Sequence, residues 1–157
     1  MTERSVTHAT FVIERTFDAP PQRVFAAFAS LEAKSRWFHG PDEWPPGRHE
    51  LDFRVGGRET SIGGPRDGPQ HHFESVFQDI VPNERIINSY RMRLGETPIS
   101  VSLATVELKQ AGAGTRLTYT EYGAYLDGWD NPQQREAGTR DLLDQLGQAL
   151  QQQMSGA

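Results

Sequence analysis

The sequence predicts an α+β fold: a curved antiparallel sheet of seven strands wrapped around one long C-terminal helix, with two short helices after the first strand. Three observations predict it. Segments of period-two alternation follow one another between residues 50 and 122, separated by Gly, Pro and Asn punctuation, which reads as a run of hairpins. From Arg135 to Met154 the apolar residues switch to helical spacing. The length of 157 residues suits a single domain, expected to span 1–157 with an ordered part from about 8 to 153.

Thr10 to Phe17 alternates Phe11, Ile13 and Phe17 against Thr10, Glu14 and Thr16, with Arg15 interrupting the apolar side, and predicts the first strand. Asp18-Ala19-Pro20-Pro21 breaks it. Asp18 can cap, and Pro20 or Pro21 can open, a helix over Pro21 to Ala29 that carries Val24, Phe25 and Phe28 on one side. Ser30 is placed to cap a second short helix, Leu31 to Trp37. The Pro and Gly density between His39 and His49 marks an irregular loop. Glu50 to Val55 and Arg58 to Ile62 flank Gly56-Gly57, which signals a tight hairpin, because such turns need positive φ.

After a loop over Gly63 to Pro69, four more strands are expected: Gln70 to Val81, Glu84 to Leu94, Ser100 to Gln110 and Thr115 to Tyr122. Asp127 to Pro132 reads as a loop, and the last helix carries Leu142, Leu143, Leu146, Ala149, Leu150 and Met154 as one apolar stripe. Gly138 and Gly147 sit in that stripe, where each costs about 1 kcal/mol against Ala. Their missing side chains serve either an internal space or a close helix–strand contact. One helix cannot fill a strongly twisted seven-stranded sheet at both ends, so an internal, largely apolar space is expected, partly plugged by the short helices.

Composition removes several function classes. The chain has no Cys, which excludes disulfides, thiolate catalysis and Cys-ligated metals. Its net charge is −5, with no Lys/Arg-rich stripe, so neither nucleic acid nor an anionic membrane surface is an expected partner. No apolar run is long enough for a membrane span, and Met1 to Thr7 lacks the apolar core of a secretory signal, so a cytoplasmic setting is expected. The five His residues, His8, His39, His49, His71 and His72, show no metal-ligand spacing, and no metal or other cofactor is expected. A nucleophile elbow, a phosphate loop and a dinucleotide fingerprint are all missing from the sequence.

Particular phrases carry a resemblance. They are Glu14-Arg15-Thr16-Phe17-Asp18-Ala19-Pro20-Pro21 with Val24-Phe25, then Arg36-Trp37-Phe38, and Phe53-Arg54-Val55-Gly56-Gly57-Arg58. Ile80-Val81-Pro82-Asn83-Glu84-Arg85-Ile86 and Gly114-Thr115-Arg116-Leu117-Thr118 follow, with Gly123 to Asp130, Arg135-Glu136 and Gly138-Thr139 closing the series. The chain resembles the START-like, or Bet v 1-like, helix-grip superfamily, in the bacterial branch grouped with the activator of Hsp90 ATPase homology domain. The resemblance implies the helix-grip fold. It also implies a choice of functions, since the superfamily holds lipid carriers, hormone receptors and polyketide cyclases. Many members of the wider family open the last helix with Gly-Trp, where this chain has Gly138-Thr139.

Alternation places Leu117, Tyr119 and Glu121 together on the inner face of the last strand, with Glu121 expected near the mouth of the space. A carboxylate enclosed in apolar surroundings can act as a general acid or base. The alternative is that Glu121 is solvated or pairs with an Arg. Asn88, Tyr90 and Met92 share a face, as do Phe73, Ser75 and Phe77. Tyr90, Tyr119 and Asn88 can orient a ligand, with Phe53, Phe73, Phe77, Met92, Leu143 and Leu146 lining an apolar pocket, or the same residues can be ordinary core. Trp37, Phe38, Trp44 and Trp129 lie in or beside loops at one opening, as lids or as plugs, with the plug favoured for Trp37 and Phe38.

The leading expectation is binding of a small hydrophobic or amphipathic molecule, as carrier, sensor or sequestering protein. The alternatives are a metal-independent cyclase, dehydratase or isomerase with Glu121 as acid or base and Tyr90 or Tyr119 orienting a carbonyl, and, on the resemblance, a protein-interaction module. A homodimer through a sheet edge is open to this fold, though no sequence feature requires it.

Overall fold

The computed structural model describes residues 3–155, with 153–155 as backbone alone. The elements run β1 (Val6–Phe17), α1 (Pro21–Ala29), α2 (Leu31–Ser35), β2 (Arg48–Leu51), β3 (Arg58–Gly63), β4 (His71–Val81), β5 (Arg85–Leu94), β6 (Thr97–Ala111), β7 (Gly114–Leu126) and α3 (Pro132–Ser155). The seven strands form one curved antiparallel sheet in the order β1-β7-β6-β5-β4-β3-β2. Every consecutive pair from β2 to β7 is a hairpin neighbour, and β1 returns to close the far edge against β7. The predicted α+β architecture is therefore the observed one.

Element ends shift for identifiable reasons. β1 begins at Val6 rather than Thr10, because Val6 to Ala9 pair with the last residues of a long β7, with Val6 to His8 exposed and Ala9 half-buried. Asp18 does not cap α1: the N-cap is Pro20, with Pro21 as the first helical residue. Ser30 caps α2 as expected, its Oγ accepting from the Ala33 N–H at 3.2 Å. α2 stops at Ser35, and the Trp37 and Phe38 N–H groups both turn back to the Lys34 carbonyl, which sends the two aromatics inward.

The Gly56-Gly57 hairpin is a correction. β2 and β3 pair only from Arg48↔Ile62 to Leu51↔Glu59, and residues 52–57 form a longer loop. Gly56 takes positive φ, and a Cβ on Gly57 would lie 2.1 Å from the Asp52 carbonyl oxygen, so the glycines serve a close backbone approach. The loop docks on β4, where the Gly56 N–H donates to the Phe77 carbonyl (2.8 Å) and the Phe77 N–H to the Gly57 carbonyl (3.0 Å), beside the bulge between Phe77 and Asp79. Phe53 is thereby carried inward from a loop, edge-on to Phe25 and Phe77.

α3 starts at Pro132, earlier than Arg135, because the Asn131 Oδ1 accepts from the Gln134 N–H (2.8 Å) and Pro132 tolerates the first helical position. It lies against β1 and α1. Leu143, Leu146 and Leu150 are buried there with Phe11, Ile13, Phe17, Val24 and Leu117. The side chain of Met154 lies outside the described residues. Arg15, which interrupts the apolar side of β1, reaches Asp144 on α3 at 3.3 Å. The two helix glycines separate in role. A Cβ on Gly147 would stand 3.3 Å from the Phe17 ring, so this position is a close contact, whereas Gly138 is exposed with open space where its Cβ would be.

A buried ion pair pins α2 to the sheet. Glu59 on β3 has no exposed surface; its Oε1 accepts from Lys34 Nζ at 2.6 Å and its Oε2 lies 2.7 Å from His49 Nε2 on β2. Burial alone would raise the Glu59 carboxyl, but Lys34 and His49 outweigh it and hold the group below its ordinary value.

Replacing Glu59 with Gln leaves the Lys34 ammonium buried without its charge partner and should cost about 3–5 kcal/mol in urea unfolding at neutral pH. Lys34→Met combined with Glu59→Leu should recover most of that loss. Because the folded carboxyl titrates below its unfolded value of about 4.3, its contribution is present above that pH and is lost as pH falls through the folded value. The stability gap between wild type and Glu59→Gln should therefore narrow on acidification. Gly138→Ala, at an open helical site, should raise stability by about 0.5–1 kcal/mol, read as a higher thermal midpoint.

Candidate functional site

The inner face of the sheet is set by strand alternation, and small residues on its middle strand create the site. Tyr90 on β5 and Glu121 on β7 are separated by β6, where the facing residues are Ser102 and Ala104. Neither is large enough to block the phenol, so Tyr90 reaches across β6 and donates to both Glu121 carboxylate oxygens, at 2.8 and 2.9 Å. Tyr119, two positions earlier on β7, donates to Glu121 Oε1 at 2.6 Å.

Arg135 enters from the N-terminal end of α3. Its Nη1 donates to the Tyr90 hydroxyl (3.0 Å) and lies 3.6 Å from Glu121 Oε2, while its Nη2 donates to Ser100 Oγ (2.7 Å) and Asp130 Oδ2 (2.6 Å). Its guanidinium also stands over the Tyr90 and Tyr125 rings, at 5.7 and 5.4 Å.

Glu121 has no exposed surface, which places it deep in the domain rather than near a mouth. Burial and the neighbouring carboxylate push the phenols of Tyr90 and Tyr119 well above their ordinary value, with Arg135 opposing, so both stay protonated as donors. Burial pushes Tyr125 up to about 12. Burial would lower Arg135, yet Tyr90, Glu121 and Asp130 outweigh it and hold the guanidinium protonated. The chemistry available is a desolvated carboxylate with fixed phenol donors and one cation shared between two carboxylates.

An aromatic path leads away from this cluster. Tyr90 packs on Phe73 (4.9 Å between centroids), Phe73 on Phe38 (5.2 Å), and Phe38 lies under Lys34 Nζ (4.6 Å) beside His49. The inner face thus has two buried polar nodes, Glu121–Arg135 and Glu59–Lys34, joined by rings. Tyr119 lies deep in the domain yet keeps accessible surface, and Phe38, Phe53, Phe73, Asn88, Met92 and Leu142 are likewise only half-buried. Asn88 donates to the buried Ser75 hydroxyl at 2.9 Å.

The structure gathers Tyr90, Tyr119 and Glu121 into one cluster, as their strand faces predict. Trp37 is buried against Phe28 and Phe38, its indole N–H donating to the Ala27 carbonyl at 3.0 Å, which makes it a plug. Phe77, Leu143 and Leu146 are fully packed core. Trp44 stacks on His71, and Trp129 stands 54% exposed between β7 and α3. Sequence reasoning did not single out Arg135, Asp130, Ser100, Lys34 or Glu59. For Arg135 a signal existed: it lies on the same helical face as Thr139, Leu143 and Leu146, a charge continuing an apolar stripe.

A dish of about 690 Å³ also opens on the opposite face of the sheet, walled by Val101, Leu103 and Tyr122 over a floor at Ala9, Ser102 and Gly123. It is open to solvent, whereas the titratable groups converge on the inner face, and the candidate site is placed there.

Arg135→Met should cost about 3–5 kcal/mol in chemical unfolding, because Glu121 would remain enclosed without its cation. The matched change Arg140→Met, which removes a half-exposed partner of Glu136 on the same helix, should cost under about 0.5 kcal/mol. Equal losses would mean that Glu121 does not need the charge.

The family model described as "Activator of Hsp90 ATPase homolog 1-like protein" matches residues 18–152. Among solved structures, the crystal structure of Mll3558 from Rhizobium loti is 50% identical, with a TM-score of 0.86 over 92% of this chain and 99% of that one. A protein from Rhizobium leguminosarum is 44% identical, with a TM-score of 0.91 over 96% and 99% of the two chains. DynU16, a protein in the dynemicin biosynthetic locus, shares the fold at 19% identity, with a TM-score of 0.66 over 90% of this chain and 47% of its own. No curated protein matches the chain. The chain belongs to the activator of Hsp90 ATPase homolog 1-like family, within the START-like helix-grip superfamily.

Proposed function

We propose that this protein binds a small hydrophobic or amphipathic molecule between the inner face of the sheet and α3, with the Glu121–Tyr90–Tyr119–Arg135 cluster as the polar end of the site. One observation carries the reading. Interiors are close-packed, so an apolar side chain that faces inward and still keeps accessible surface borders space. Phe38, Phe53, Phe73, Met92 and Tyr119 are of this kind. An apolar wall with a few fixed polar groups is what a small-molecule site requires.

A second reading rests on Glu121 itself. A desolvated carboxylate held by two phenols and a guanidinium is also the equipment of a general acid–base enzyme, of the cyclase, dehydratase or isomerase kind. In that case Glu121 exchanges the proton and Tyr90 or Tyr119 orients the carbonyl. Glu121→Gln separates the two: an enzyme loses turnover, while a carrier keeps most of its apolar affinity.

The test is a thermal-shift screen against lipids, fused-ring aromatic ketones and steroids. A ligand at about 100 times its dissociation constant stabilises by about 2.7 kcal/mol, which moves the midpoint by several degrees. Met92→Trp, which fills the inner face from β5, should abolish the shift given by any hit while the variant still melts cooperatively. A broad screen without a shift, or hits indifferent to Met92→Trp, would overturn the binding reading.

A further inference from the structure

Almost every polar atom of the inner-face cluster is used, and two are not. Ser102 Oγ and Tyr125 Oη are buried without a hydrogen-bond partner among the described residues. Ser102 is 4% and Tyr125 2% exposed, and a buried hydroxyl left unpaired is costly.

The two are neighbours by construction. Ser102 on β6 is the ladder partner of Gly123 on β7. Gly123 has no side chain, and the Tyr125 ring folds back over it: a Cβ there would lie 2.8 Å from Tyr125 Cε2 and 3.0 Å from its hydroxyl. The Tyr125 hydroxyl therefore sits at position 123, across the ladder from Ser102. On its other side Ser102 is the ladder partner of Tyr90; the two hydroxyls interact weakly, outside hydrogen-bond geometry, and the Tyr90 proton goes to Glu121. The Arg135 guanidinium is 5.4 Å from the Tyr125 ring.

We propose that Ser102 and Tyr125 form a two-donor subsite for a neutral carbonyl oxygen of an otherwise apolar ligand, and that the same subsite rejects free carboxylates. The proposal rests on the binding reading above and names the ligand class. Two buried hydroxyls that make no well-formed hydrogen bond among the described residues suit an oxygen that accepts two hydrogen bonds and brings no donor of its own. The charge balance supplies the selectivity. Arg135 already serves Glu121 and Asp130, one cation for two carboxylates, so a third carboxylate would enter a desolvated site with net negative charge. A ketone brings no charge. Tyr125, pushed up to about 12, remains a donor at neutral pH.

Three probes of similar shape test it by calorimetric titration: benzophenone, diphenylmethane and diphenylacetate. Wild type should bind the ketone about tenfold tighter than the hydrocarbon, the worth of one to two good hydrogen bonds, and diphenylacetate most weakly. In the Ser102→Ala, Tyr125→Phe double variant the ketone advantage should fall below about threefold while diphenylmethane affinity changes by less than about twofold. The unliganded double variant should melt at or above the wild-type midpoint, since it loses two unpaired buried hydroxyls.

Equal affinity of wild type for ketone and hydrocarbon would overturn the subsite and leave the binding reading standing, as would a variant that weakens both probes alike. A variant that melts several degrees lower would show that the hydroxyls serve the fold, and would also overturn the subsite. If none of the three probes binds, the subsite falls, while the binding reading is decided by the broad thermal-shift screen.

Discussion

A carboxylate with no exposed surface is tolerated only when its charge and its lone pairs are met, and Glu121 is such a group. Much of the inner architecture follows from that constraint. Tyr119 comes from the same strand, Tyr90 from two strands away, and Arg135 from the helix. For Tyr90 to arrive, β6 must present small side chains on its inner face, and it presents Ser102 and Ala104 there. For Arg135 to arrive, the N-terminal end of α3 must stand over β5 to β7, and Ser100 and Asp130 hold the guanidinium in place. The rest of the helix lies against β1 and α1. The helix is thus held by apolar packing along its length and by a polar anchor at its start.

The second enclosed carboxylate, Glu59, applies the same logic to the other arm of the sheet. Lys34 and His49 answer it, and the short helix α2 is fixed over β2 and β3 as a result. Between the two nodes run Phe38 and Phe73, ring against ring. A surface that is apolar in the middle and polar at both ends is itself amphipathic.

Much of this was legible in the sequence because half-buried strands impose a period of two. Leu117, Tyr119 and Glu121 fall on one face of β7, and Ile86, Asn88 and Tyr90 on one face of β5, before any contact is known. The β2–β3 turn was not legible, since Gly56-Gly57 can mark either a two-residue hairpin or a close backbone approach, and only the docking onto the β4 bulge decides. Glu121 was placed on the correct face but at the wrong depth, because alternation gives direction and not distance from solvent. Lys34 and Glu59 left no trace, as a lysine in a short helix and a glutamate in a strand read like ordinary surface until tertiary contact joins them.

The position of β1 governs how the protein is made. This first strand closes the sheet against the last one, in a register that runs from Val6↔Leu126 to Phe17↔Thr115. Such pairing joins opposite ends of the chain, so its loop-closure entropy is met late and folding is slowed. During synthesis this strand leaves the ribosome before the other six, and its partner β7 is the last of them. Phe11, Ile13 and Phe17 must then wait, unpaired and apolar, while the hairpins from β2 to β7 assemble. Through that interval an apolar strand stands without the edge that covers it, and the length of the interval is set by the order of the chain rather than by the stability of the finished fold.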